Sequence, residues 1–211
     1  GKRVIVTTTT HMAWEEDRPF ADAEDTEELC RLIEQYGYVI AAKHKAGQPK
    51  ISGPEPETLK RLSGFCDLLL VEADGARRLP LKVPAVHEPV IPEFADIVVG
   101  VTGLDCIGKK ICDIAHRPED VAEFLRKKTD EPVMWEDVVK IASSENGLRK
   151  NVGEKSFLVY FNKADVLESP GMVENIIKKC REAGIEAVCG SLKKIMERQE
   201  ICRKFHGIRR K

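Results

Sequence analysis

Apolar residues along this chain come in short unbroken runs, and the stretches between those runs repeat at helical spacing. Residues 1–10 (GKRVIVTTTT), 38–43, 68–71 (LLLV), 96–102 (DIVVGVT), 156–161 (SFLVYF) and 185–189 each read as strands. A run with no polar alternation signals a strand apolar on both faces, typical of a central strand in a parallel sheet. Leu29, Leu32, Ile33 and Tyr36 fall at i, i+3, i+4 and i+7, as do Val173, Ile176, Ile177 and Cys180. Each set predicts an amphipathic helix. Further helices are predicted around Leu59 and Leu62, around Val121, Phe124 and Leu125, and around Trp135, Val138, Val139 and Ala142. Punctuation agrees: Asp25 or Thr26 can cap the first helix and Gly37 end it, Pro56, Pro118 and Ser169-Pro170 sit at starts, and Gly184 closes the last. Strands alternating with helices predict an α/β fold, a mostly parallel sheet with helices on both faces.

Composition narrows this picture. With 211 residues, 42% of them hydrophobic, the chain suits a single domain over residues 1–211, ending in a basic tail at about 193–211. A net charge of −1 gives no reason to expect nucleic acid or a membrane as partner. No apolar run approaches a membrane span and no signal peptide is present. Seven cysteines without regular spacing fit reduced thiols and a cytoplasmic protein. Cys106 and Cys112 are the closest pair, and nothing completes a zinc site around them.

The candidate chemistry sits where predicted strands end, the edge at which open α/β sheets bind ligands. Residues 66–92 run from an apolar strand into Glu72, Asp74 and Gly75, then into Arg77, Arg78, Lys82 and His87 on a loop carrying Pro80, Pro84, Pro89 and Pro92. Gly75 would let the backbone turn sharply, directing the Asp74 carboxylate outward. A hard acid there, supported by Glu72, suits Mg²⁺, which keeps most of its waters and takes one or two carboxylates beside phosphate oxygens. The basic residues would meet phosphate or another anionic substrate. The competing reading is a strand ending in a solvated, charged loop. Thr8 and Thr9 could offer hydroxyls to a metal ion or phosphate, or could simply be good strand formers. His116 and Arg117 precede the Pro118 helix start, where the dipole attracts an anion, although such residues also serve as ordinary punctuation.

Asn162-Lys163-Ala164-Asp165 follows the strand at 156–161. Its NKxD spacing resembles the guanine-recognition element of GTPases. There the aspartate accepts hydrogen bonds from the purine ring N–H and exocyclic amine, and the lysine stem covers the ring. Ser191, after the next strand, would be a further and weaker base contact. A nucleotide site of this kind expects GxxxxGK[ST] between a first strand and first helix, and the chain contains none. Either the sequence begins after that strand, phosphate loop and helix, or the phosphate cradle has been lost.

Taken together, residues 1–12 (GKRVIVTTTTHM), 71–92 (VEADGARRLPLKVPAVHEPVIP), 101–109 (VTGLDCIGK), 116–121 (HRPEDV), 161–165 (FNKAD) and 189–192 (CGSL) resemble the YqeC-type accessory proteins of selenium-dependent molybdenum hydroxylases. That family is placed in the P-loop NTPase superfamily. The resemblance implies a P-loop NTPase-like fold and a nucleotide-dependent step in maturing such a hydroxylase or its cofactor. The first expectation is a Mg²⁺-dependent protein binding GTP or another NTP, with possible slow NTP hydrolysis. The second is a small-molecule kinase or nucleotidyltransferase acting on the molybdenum cofactor, and the third a non-enzymatic adaptor or carrier.

Overall fold

The structure is a computed structural model of the chain and describes residues 1–13, 17–44, 47, 49–167 and 169–196. These form a mixed α/β arrangement in two compact units, Gly1–Gly75 with Val86–Ala95, and Ala76–Ala85 with Asp96–Lys211.

In the first unit the elements run β1 (Val4–Thr8), β2 (His11–Ala13), β3 (Phe20–Asp22), α1 (Thr26–Tyr36), β4 (Tyr38–His44), β5 (Lys50–Ser52), α2 (Pro56–Leu62) and β6 (Leu68–Glu72). The sheet order is β2-β5-β4-β1-β6, with β3 also pairing β4. Parallel pairing joins β1 to β4 and β6, and β3 to β4, but β5 is antiparallel to both β4 and β2. This sheet is therefore mixed, which corrects the expectation of a mostly parallel one. The antiparallel part comes from three-residue strands, too short for alternation to register in the sequence.

Helix α1 forms where its signals predict: the Asp25 carboxylate accepts the Glu28 N–H at 3.0 Å, and the helix ends at Gly37. Its Leu29, Leu32 and Ile33 pack with Ile5, Val39, Ala41 and Leu62 in a dry core. Each such large side chain contributes up to about 1.5–3 kcal/mol. The apolar run at 68–71 was expected in a central strand covered on both faces. Instead β6 is an edge strand of this sheet, with Leu68 44% and Leu70 46% exposed. An unbroken apolar run reports that both faces are apolar, not that both are covered.

Asp67, just before β6, accepts from the Arg3 N–H at 2.8 Å and from Arg3 Nη2 at 2.9 Å. The Arg3 side-chain and backbone donors hold its carboxyl down at about 2. A depressed carboxyl contributes stability that is complete above its unfolded value, ~3.9, and is lost as pH falls through the folded one. Asp67→Asn should therefore lower stability at neutral pH and flatten its decline between about pH 4 and 2. Urea midpoints taken across that range check this, and an unchanged acid slope would refute it.

The second unit comprises β7 (Leu81–Lys82), β8 (Ile97–Gly103), α3 (Ile111–Ile114), β9 (Ala115–His116), α4 (Pro118–Leu125), α5 (Trp135–Ser143), β10 (Ser156–Asn162), α6 (Pro170–Glu182) and β11 (Glu186–Cys189). Its three-stranded sheet has the order β11-β10-β8, all parallel, and β7 pairs β9 in a small parallel ribbon. One face is sealed: Val159 and Phe161 of β10 pack with Val138 and Ile141 of α5 and Ile176 and Cys180 of α6. On β8, expected to be fully buried, Ile97, Val99 and Val101 are 63%, 49% and 56% exposed; they alternate along the strand and so share the face opposite the sealed one. Of the predicted basic tail, residues 193–196 are helical and 197–211 lie outside the described residues. No helix among the described residues is long and apolar enough to cross a membrane.

Candidate functional site

Within the second unit, the carboxyl ends of β8, β10 and β11 form one rim through their parallel register, Phe161 pairing both Thr102 and Cys189. The 162–165 turn is knitted to the segment after β11. Asn162 Oδ1 accepts the Lys163 N–H at 2.8 Å and the Leu192 N–H at 3.1 Å, and the Ala164 N–H donates to the Gly190 carbonyl at 3.0 Å. Asn162 thus braces the turn with its side-chain oxygen, a use of Asn that suits tight turns. Lys163 sits at φ 61°, a left-handed conformation uncommon for a residue with a side chain. The Asp165 carboxyl lies below the usual range, chiefly through the neighbouring Ser191 hydroxyl, against an opposing effect of burial and with help from Lys194, whose ammonium is 3.9 Å away, and Lys193.

One member of this rim went unrecognised in the sequence. The Lys163 ammonium donates to Asp105 Oδ2 at 2.8 Å. Asp105 lies two residues past β8, and the rule that singled out Asp74, an acid just beyond an apolar strand, would have found it. Pro80 closes over the same strand end, its carbonyl accepting from the Gly103 N–H at 2.9 Å and from Thr102 Oγ1 at 2.8 Å.

That anchorage places the basic loop. Arg77 and Arg78 are exposed and consecutive at φ 51° and 65°. Backbone held in this region by residues other than glycine costs about 1–3 kcal/mol each and is concentrated at functional sites. The tight turn lies here rather than at Gly75, which is not among the positive-φ residues. In the ribbon Lys82 is directly opposite His116, both nearly buried at 7% and 9% exposure, and Arg117 follows at φ 57°. Arg77, Arg78, Lys82, His116 and Arg117 thus share the second unit with Asn162, Lys163, Asp165 and Ser191.

Thr8, Thr9, Glu72, Asp74 and His87 belong to the first unit. Thr8 pairs Glu72 in register and is buried, its hydroxyl donating to the Glu72 carbonyl at 2.8 Å and accepting the Thr10 N–H at 2.9 Å. The Thr9 hydroxyl donates to the Val90 carbonyl at 2.7 Å, and the Val90 N–H donates to Ala73 at 3.1 Å. These bonds lace the ends of β1 and β6 to the proline-rich segment on either side of Asp74. Thr8 and Thr9 therefore shape that edge through main-chain oxygens. His87 is exposed, 3.9 Å from the Glu88 carboxylate.

Among the described residues no group of three or more His, Cys, Asp or Glu side chains could hold a metal ion. The described cysteines are free: Cys30 and Cys112 are exposed, Cys106 and Cys180 buried. Burial pushes the Cys106 thiol up to about 12 and Cys180 to about 11. In a thiol titration of the folded protein, Cys30 and Cys112 should react first among the described cysteines, and Cys106 and Cys180 only on unfolding. Rapid labelling of Cys106 in native buffer would contradict this.

Comparison with known proteins gives one family. The family described as "YqeC protein" matches residues 1–119. The chain is 31% identical to the Escherichia coli (strain K12) protein described as "Uncharacterized protein YqeC", over 97% of this chain and 82% of that relative. No solved structure matches.

Proposed function

The chain belongs to the YqeC family, and on that footing we propose that it is a guanine-nucleotide-binding, Mg²⁺-dependent accessory protein with a P-loop NTPase-like architecture. Its task in this reading is the maturation of a selenium-dependent molybdenum hydroxylase in the cytoplasm. The observation that carries the nucleotide part is the linkage of the 162–165 turn to Gly190 and Leu192, on either side of Ser191, which sets Asp165 beside a braced Lys163. An ionised acceptor matches guanine, whose ring N–H and amine both donate. Adenine cannot satisfy it, and a charge-assisted bond lost is worth about 1.5–3 kcal/mol.

Asp74 with Glu72 offers hard oxygen donors, and few of them. Such a set would suit Mg²⁺, which is bound through one or two carboxylates with waters and phosphate oxygens, rather than zinc. Bound there, the ion would neutralise phosphate charge. Arg77, Arg78, Lys82, His116 and Arg117 would hold phosphate or a second anionic substrate. The strained Arg77-Arg78 turn and the paired Lys82 and His116 favour such a second ligand, and with it the kinase or nucleotidyltransferase reading in which the molybdenum cofactor is the acceptor.

Calorimetric titration of the full chain with GTP and with ATP, each with Mg²⁺, tests the central point. GTP should bind at least about tenfold more tightly, a difference of ~1.4 kcal/mol. Equal affinities would remove guanine selection, and a phosphorylated or nucleotidylated cofactor among the products would establish transfer over hydrolysis.

A further inference from the structure

Asp105 is held at the rim in a way that its contribution to stability does not explain. Its Oδ2 accepts from Lys163, but Oδ1 is shielded from solvent and has no hydrogen-bond partner among the described residues. A shielded, unpaired carboxylate oxygen is unfavourable. The ion pair does not offset this through strength, since the Lys163 side chain is 44% exposed and such pairs contribute little. Yet the surroundings enforce the placement. Leu104 and Cys106 on either side are fully buried. A Cβ at Gly103 would lie 2.5 Å from Asp105 Oδ1 and 2.9 Å from Pro80 Cβ, so the carboxylate folds back over the end of β8 only because residue 103 has no side chain.

The same carboxylate completes the restraint on Lys163. At one end of that residue the N–H is fixed by Asn162 Oδ1, in a left-handed backbone that belongs to neither strand nor helix. At the other end the ammonium is fixed by Asp105. The four methylenes of the lysine therefore lie between two anchored ends.

We propose that Asp105 is a positioning residue of the guanine site, pinning the Lys163 ammonium so that the lysine stem stands as the surface against which the purine ring packs. This rests on the guanine-site reading above and extends it to a residue that makes its contribution only through Lys163. Preorganising a side chain before the ligand arrives lowers the ordering cost of binding.

The test uses the full chain, with 5′-GMP and 5′-AMP as probes in saturation-transfer NMR, which detects weak binding without a phosphate site. Asp105→Ala and Lys163→Met should each weaken GMP about tenfold. The double variant should be no weaker than Lys163→Met alone, because residues acting through one contact are not additive. Asp105→Asn, which keeps an acceptor for the ammonium, should recover most of the affinity and guards against a folding defect in the alanine variant. Thermal midpoints recorded in parallel report any merely structural effect, which would shift them without producing this non-additivity. Additive losses would overturn the proposal. So would unchanged GMP affinity in Asp105→Ala where Asp165→Ala abolishes binding, an outcome that leaves the guanine site itself standing. Absence of any GMP signal in the unmodified chain would remove the guanine site and the positioning role together.

Discussion

Asp165→Ala is expected to weaken binding of guanosine nucleotides about ten- to a hundredfold and to leave adenosine nucleotides unchanged. The carboxylate is the group whose two oxygens can face two purine donors, and like any ordinary aspartate it is ionised at neutral pH. Loss of the side chain removes acceptors from guanine and nothing that adenine can use, so the two affinities should become similar. The pH dependence follows with its sign. A carboxyl held below its ordinary value stays charged through the neutral range, so GMP affinity should be flat from pH 8 to about pH 5 and fall only in more acid solution. Ser191→Ala lets that carboxyl rise toward its ordinary value, so its effect should be small at pH 7 and should appear as an acid limb displaced to higher pH. Equal losses of GMP and AMP in Asp165→Ala would mean that the residue supports the turn rather than reads the base.

Gly53→Ala should cost the fold about 2–3 kcal/mol. A Cβ at this position would lie 2.1 Å from the Thr8 carbonyl oxygen and 3.0 Å from Thr9 Cα. Both are main-chain atoms of a bend that is already fixed: Thr8 is buried and tied to Glu72 and Thr10, and the Gly53 N–H donates to the Thr10 carbonyl at 3.2 Å. Neither segment can yield without breaking hydrogen bonds at the ends of β1 and β6, beside the proposed Mg²⁺ carboxylates. Gly64→Ala is the matched control, since nothing lies within 4 Å of its Cβ position and its φ is not positive. There the gain from a stiffer unfolded chain, up to about 1 kcal/mol, should dominate. Urea denaturation of the two variants at unchanged m-value measures both effects, and equal midpoints would refute the close approach at Gly53.

Much of the secondary structure was legible because its causes are local. The spacing of Leu29, Leu32 and Ile33, the Asp25 cap, and the prolines at 118 and 170 act within a few residues, and α1, α4, α5 and α6 form where those signals lie. The joining of the 162–165 turn to the segment around Ser191 was legible for a related reason. Successive parallel strands β10 and β11 bring their carboxyl ends to one edge through simple connectivity. Tertiary structure alone decided which strands became edges, since the run at 68–71 is equally apolar whether or not a neighbour covers it. It alone decided that Thr8 would turn its hydroxyl to the Glu72 carbonyl, a bond across 64 positions of chain. Asp105 meets Lys163 across 58 positions for the same reason. Periodicity and capping are short-range forces written into neighbouring residues, whereas the pairing of distant side chains is set by how strands register and where a missing Cβ lets two segments touch.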